Sequence, residues 1–121
     1  MGKILVADDD QAVRHVVAAA LEAAGHAVAQ VGDGPAAVIA LDPGSFDLLI
    51  TDLNMPEFGG LELLVFLQDS AHPVPVIVIS GSWTARKRRE AEMLGAVRIF
   101  EKGALDLGEL VVVVQRLLSV R

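Results

Sequence analysis

The segment Asp47-Leu48-Leu49-Ile50-Thr51-Asp52-Leu53-Asn54-Met55-Pro56 carries an unbroken apolar run into a carboxylate and then into a proline-closed loop. An apolar run this short, with no polar residue alternating through it, suits a strand covered on both faces, as strands of parallel sheets are. A strand is therefore expected over Asp47–Thr51, ending against Asp52. Asn54 to Gly59 form the loop beyond it, and a helix is expected from Gly60 to about Asp69.

The same alternation extends in both directions. Upstream, Ile4–Ala7 reads as a buried strand. Asp10 is placed to cap a helix over Gln11–Ala24, in which Val13, Val17, Ala20, Leu21 and Ala24 recur at helical spacing before Gly25 stops it. Ala27–Val31 is a second strand, and Pro35 suits the first turn of a helix running to Leu41. Downstream, Val76–Ile79 is the strongest strand signal. Thr84–Leu94 is a charged helix stopped by Gly95, Val97–Glu101 is a last short strand, and Leu105–Leu118 is the closing helix. In that closing helix Val111–Val114 is a β-branched run of poor helical propensity. Five strand–helix alternations imply an α/β fold with a mostly parallel sheet and right-handed crossovers.

Composition narrows the function. The chain has 121 residues, the size of one domain, and is read as a single unit over 1–121. Hydrophobic residues make up 53% and aromatic residues only 4%, so aliphatic side chains must build the core. A net charge of −6 opposes direct binding to nucleic acid, whose phosphates would be repelled. With no cysteine, a disulfide framework, a thiolate metal site and a cysteine nucleophile are excluded. The first residues are too short an apolar run for a signal peptide, and no stretch approaches the roughly 18–20 residues of a membrane span. These features point to a cytoplasmic protein with no membrane contact.

Chemistry-bearing residues gather where the strands end. Asp8 and Asp9 follow the first strand, Asp52 the third, Ser80 ends the fourth and Lys102 follows the fifth. In a parallel sheet these ends share one rim, where doubly wound folds bind ligands. Carboxylates brought together raise one another's pKa unless a cation offsets them. All-oxygen ligands with room for water suit Mg²⁺ better than Zn²⁺ or a full Ca²⁺ cage. A carboxylate is also a competent nucleophile toward phosphorus, with a lysine and a hydroxyl to hold the transferring oxygens. Taken singly, each residue has a plainer reading: a helix cap for Asp10, a strand-end hydroxyl for Ser80, a surface lysine for Lys102.

Five pieces stand in order along the chain: Ile4-Leu5-Val6-Ala7-Asp8-Asp9-Asp10; Asp47 to Pro56 with Gly59-Gly60-Leu61-Glu62-Leu63; Pro75-Val76-Ile77-Val78-Ile79-Ser80-Gly81; Leu94-Gly95-Ala96; and Phe100-Glu101-Lys102. Together they resemble the response-regulator receiver domains of two-component signalling, the CheY-like family. The resemblance implies a doubly wound, five-stranded, flavodoxin-like sheet of order 2-1-3-4-5 with helices on both faces. It makes Asp52 the phosphoacceptor, with Asp9, Asp52 and the Asn54 carbonyl binding Mg²⁺ directly and Asp8 acting largely through water. Ser80 and Lys102 would contact the phosphoryl oxygens. The implied partners are a histidine kinase or phosphotransfer protein and a downstream protein target. The run Arg86-Lys87-Arg88-Arg89 reads first as the solvated face of its helix and, as the alternative, as a docking surface for an acidic target. The chain would be a monomer or weak dimer, and a phosphoacceptor rather than a multiple-turnover enzyme. Two positions depart from the family pattern: Gly103 stands where proline commonly follows the lysine, and Ile99 where an aromatic is usual, Phe100 being directed to the other face.

Two rival functions share these residues. A receiver-like interaction module would work without phosphorylation, and an aspartate-nucleophile phosphatase would turn over phosphate esters. His15, His26 and His72 form no ligand set and are read as structural or surface residues. Trp83 is expected half exposed in the loop after Ser80.

Overall fold

Each apolar run forms a strand, and each strand is followed by a helix. The computed structural model describes residues 2–81 and 84–119; Trp83 lies outside them. The order is β1 Lys3–Ala7, α1 Gln11–Ala23, β2 Ala27–Val31, α2 Gly34–Leu41, β3 Leu48–Asp52, α3 Gly60–Gln68, β4 Val76–Ser80, α4 Ala85–Met93, β5 Ala96–Glu101 and α5 Leu107–Ser119. The strands form one parallel sheet in the order β2-β1-β3-β4-β5. The chain thus starts inside the sheet, steps out to β2, and crosses back over β1 to β3. That reversal opens a crevice at the C-terminal ends of β1 and β3.

The two-sided strands explain the two cores. Ile4, Val6, Ile50, Ile77, Ile79 and Phe100 face α1 and α5, meeting Val17, Leu21, Leu110, Val113 and Val114. Leu5, Ala7, Leu49, Val76 and Val78 face the opposite layer, meeting Ala37 and Leu41 of α2, Leu63, Leu64 and Leu67 of α3, and Ala91 of α4. Ile99 packs at the margin of the second core and Phe100 in the first, so adjacent residues of β5 do point to opposite faces.

Element boundaries differ from expectation at two places of consequence. The third strand is shifted by one residue, because Asp52 pairs in register with Ile79 and is the last residue of β3 rather than the first beyond it. Asp47 instead ties the strand's entrance, its N–H donating to the Lys3 carbonyl at 2.7 Å and its Oδ2 accepting from the Lys3 N–H at 2.9 Å. The closing helix starts at Leu107, not Leu105. A single 3₁₀ turn, Lys102–Ala104, intervenes, and Asp106 caps the helix by accepting from the Glu109 N–H at 3.1 Å. The valine run stays helical because Val113 and Val114 are buried, and packing outweighs a propensity cost of a few tenths of a kcal/mol per residue.

His26 is structural. It is buried, its Nδ1 accepts the Gly2 N–H at 3.1 Å, and its Nε2 lies 2.9 Å from Gln115 Oε1, which joins the start of the chain to α5. His15 and His72 are exposed.

The start of α1 rests on one side chain. Asp10 Oδ1 accepts from the Ala12 and Val13 N–H groups at 3.0 and 3.2 Å. Asp10→Ala should cost about 1 kcal/mol and lower the thermal midpoint by about 4 °C. Circular dichroism melts of the two proteins check this, and an unchanged midpoint would show that the cap contributes nothing.

Candidate functional site

Parallel pairing sets the positions of the site residues before any side chain is placed. Ala7 lies opposite Thr51, Asp52 opposite Ile79, and Ser80 opposite Glu101. The next residues of each strand therefore emerge at one rim, and the structure brings Asp8, Asp9, Asp52 and Lys102 together there, with Ser80 ending the neighbouring strand β4. Asp8, Asp52 and Ser80 are 3%, 5% and 0% exposed, whereas Asp9 is exposed at the mouth of the same cluster. Burial of ionisable groups to this degree requires partners.

The partner is Lys102. Its ammonium donates to Asp8 Oδ1 and to Asp52 Oδ2, each at 3.1 Å. The 3₁₀ turn directly after β5 aims the lysine inward, and Gly103, in place of proline, does not stop the side chain from reaching both carboxylates. Asp8 is pinned further by the Asp10 N–H at 2.8 Å, so the residue that caps α1 also orients the site. The Asn54 N–H approaches Asp52 Oδ1 at 3.4 Å, and the Asn54 side chain is exposed.

One contributor was not anticipated. Arg14 donates through Nη1 to the Asp8 carbonyl at 2.7 Å and through Nε to Gln30 Oε1 at 3.2 Å, fixing the backbone from which Asp8 and Asp9 project. Its position held a clue. A cation one turn after a helix cap sits against the unfavourable end of the helix dipole and calls for a local acceptor.

Electrostatics at the rim are unbalanced. Asp8, Asp9 and Asp52 each offer an oxygen within 4.8 Å of the others, and Lys102 supplies a single positive charge among them. Burial pushes the Asp52 carboxyl up to about 6, helped by the charge of Asp8 and opposed by the hydrogen bond from Lys102. For Lys102, burial acts to lower the pKa, but the bonds to Asp52 and Asp8 together outweigh it and raise the value. A set of hard oxygen donors with surplus negative charge fits a small divalent cation such as Mg²⁺.

The raised Asp52 pKa has a signed effect on stability. The folded protein holds the Asp52 proton more tightly than the unfolded chain does, so this group's contribution is complete below 3.8 and is lost as pH rises through about 6. In metal-free buffer at about pH 7.5, Asp52→Asn should therefore be more stable than wild type by on the order of 2 kcal/mol. The gap should close as pH falls toward 4. Denaturant melts at the two pH values check this, and a gap independent of pH would contradict the assigned titration.

Comparison with known proteins agrees with this geometry. The family model described as the response regulator receiver domain matches residues 4–115. The transcriptional regulator NtrC of Azospirillum brasilense is 38% identical over 116 residues, 96% of this chain and 24% of NtrC. FixJ of Bradyrhizobium diazoefficiens is 36% identical over 101 residues, 84% of this chain and 49% of FixJ. The chain thus spans about a quarter of NtrC and about half of FixJ, and less than two thirds of each of these relatives. Among solved structures, the receiver domain from Bermanella marisrubri is 29% identical with TM-score 0.86, covering 96% of this chain and 97% of that one. Vibrio cholerae CheY4 is 28% identical with TM-score 0.83, covering 97% and 98%. With five parallel strands in the order 2-1-3-4-5 and an aspartate–lysine rim at their C-terminal ends, the chain belongs to the CheY-like receiver domains of two-component response regulators.

Proposed function

We propose that the chain, as one receiver unit, accepts a phosphoryl group on Asp52 in a Mg²⁺-dependent reaction and thereby changes how it binds a protein target. The observation that carries this reading is the Lys102 ammonium held 3.1 Å from both Asp8 and Asp52. A buried carboxylate with a cation already beside it is a nucleophile with charge stabilisation in place.

In the step proposed, an Asp52 oxygen forms a bond to phosphorus as the bond between phosphorus and the donor's imidazole nitrogen breaks, its electron pair returning to the ring. The donor is a histidine kinase or a phosphotransfer protein. Lys102 turns from Asp52 to a phosphoryl oxygen, and the Ser80 hydroxyl donates to another. Mg²⁺ held by Asp9, Asp52 and the Asn54 carbonyl would offset charge on the transferring oxygens. Asp8, already engaged by Lys102 and the Asp10 N–H, is suited to act through water. The product is an aspartyl phosphate, so the domain is a substrate of transfer and not a multiple-turnover enzyme.

The output surface in this reading includes α4, which starts at Ala85, five residues beyond Ser80. Arg86 pairs with Glu90 at 3.2 Å, while Arg88 and Arg89 are exposed and have no ion pair among the described residues. Those two cations would meet an acidic surface of the downstream target. Among the described residues no helix is long and apolar enough to cross a membrane. We place the domain in the cytoplasm, as a monomer or weak dimer without direct nucleic-acid contact.

Incubation with acetyl phosphate and Mg²⁺ should add one phosphate to the intact protein by mass spectrometry, and chelation of the metal should abolish it. Asp52→Ala should take up none, and Lys102→Ala should lose at least tenfold in rate, by analogy with removing one charge-stabilising donor. Equal labelling of wild type and Asp52→Ala would refute the assignment.

A further inference from the structure

The loop between β3 and α3 carries two of the proposed metal ligands, Asp52 at its root and Asn54 two residues on, yet its conformation is not self-sufficient. Glu57 has φ +71° and centres a tight turn in which the Phe58 N–H donates to the Pro56 carbonyl at 2.9 Å. Such a turn is strained for a residue with a side chain and persists only when its surroundings hold it. It turns Phe58 inward to the second core.

What Phe58 meets there is the first residue of α2. Gly34 is buried, and a Cβ at this position would overlap the Phe58 carbonyl oxygen and stand 2.5 Å from the ring Cδ2. The wall behind it cannot readily retreat. Asp33 caps α2 by accepting from the Ala36 N–H at 2.7 Å, and Ala37 and Leu41 are buried in the second core. Beyond Phe58 the loop closes on itself. Gly59 packs so tightly on Leu53 that a Cβ would overlap the Leu53 carbonyl, and that Cβ would lie 3.2 Å from Asn54 Cα. The Gly59 N–H is held by Glu62 Oε1 at 2.9 Å. A displacement of Phe58 is therefore passed through Gly59 to Leu53 and Asn54.

We propose that Gly34, far from the rim in sequence and offering it no atom, is a positioning residue for the metal site. Its bare Cα seats Phe58, and that seat fixes where the Leu53–Asn54 backbone stands relative to the Asp52 carboxylate. This rests on the reading of the rim as a Mg²⁺ site. A methyl group at position 34 would lift the loop and spread the ligand set, weakening Mg²⁺ binding even where the fold survives.

Titration calorimetry with MgCl₂ on the whole chain tests this, with thermal melting in parallel. Gly34→Ala should bind Mg²⁺ about tenfold more weakly at a temperature where it is fully folded, the loss typical of disturbed support around a metal ligand. Gly25→Ala is the control. Gly25 has φ +97° and open space around it, so alanine there should lower the melting temperature and leave Mg²⁺ affinity unchanged. Phe58→Ala, which empties the seat without crowding α2, should also weaken binding and serves if Gly34→Ala fails to fold. Wild-type affinity in Gly34→Ala, or in Phe58→Ala where the first is unfolded, overturns the proposal while leaving the metal site intact. Equal loss in Gly25→Ala would reduce the effect to general destabilisation and overturn it too. Absence of Mg²⁺ binding by wild type would overturn both this inference and the function on which it rests.

Discussion

An ammonium group shared between two buried carboxylates governs the arrangement of the rim. Asp8 and Asp52 are withdrawn from water by the strands that deliver them, and a lone carboxylate so placed would abandon its charge. Lys102 supplies enough compensation to keep the arrangement folded and too little to satisfy it, as the upward shift of Asp52 to about 6 records. In the function proposed, that residual imbalance would have chemical value. A rim already neutral would have no affinity for another cation, and one with no resident cation would resist the approach of a phosphoryl oxygen.

The sheet makes this frustration affordable. Both faces of β1, β3 and β4 are covered, and the apolar residues of these strands reach 0–2% exposure on each side apart from Leu53 just past β3, at 4%. The cost of the charged rim is borne by a framework whose contacts lie elsewhere. Attachment is uneven, however. Where α5 buries Leu110, Val113 and Val114, α4 buries Ala91 alone and otherwise presents mainly charged residues and the exposed Met93. A helix held by so few apolar contacts is the element whose displacement demands least, and it follows the strand that ends in Ser80. Stability and adaptability are thus assigned to different helices by composition alone.

The fold was legible because its strands are homogeneous apolar runs and its helix ends carry ordinary signals: Asp10, Pro35, Thr84, Gly25 and Gly95. That Asp8, Asp9, Asp52 and Lys102 would meet was legible because parallel strands place their ends together whatever their separation in sequence. What escaped reading has a common physical character. Arg14 acts on a backbone carbonyl, Asp106 resets a helix start that the apolar periodicity placed at Leu105, and Gly34 matters for an atom it lacks. Each depends on a contact between elements, and hydrophobic periodicity carries no information about such contacts. The register shift between β4 and β5 at Val76/Ile77 is of the same kind, invisible until two strands are laid side by side.

The two departures from the family pattern differ in what they change. Lys102 reaches its carboxylates because Glu101 pairs in register with Ser80 and the 3₁₀ turn begins at the next residue. Its aim is therefore set from the upstream side, and proline at position 103 would restrict a segment that comes after the decision is made. Ile99 is another matter. It faces the second core beside α4 and cannot be replaced in that role by Phe100, which the strand commits to the first core, where Arg98 stacks over its ring at 5.2 Å. A branched aliphatic side chain at this place has little of the rotational range of an aromatic ring and presents no polar edge. In the function proposed, the rim would keep its chemistry while coupling from Ser80 to α4 would run through shifts of backbone and helix, not through the turning of a single ring.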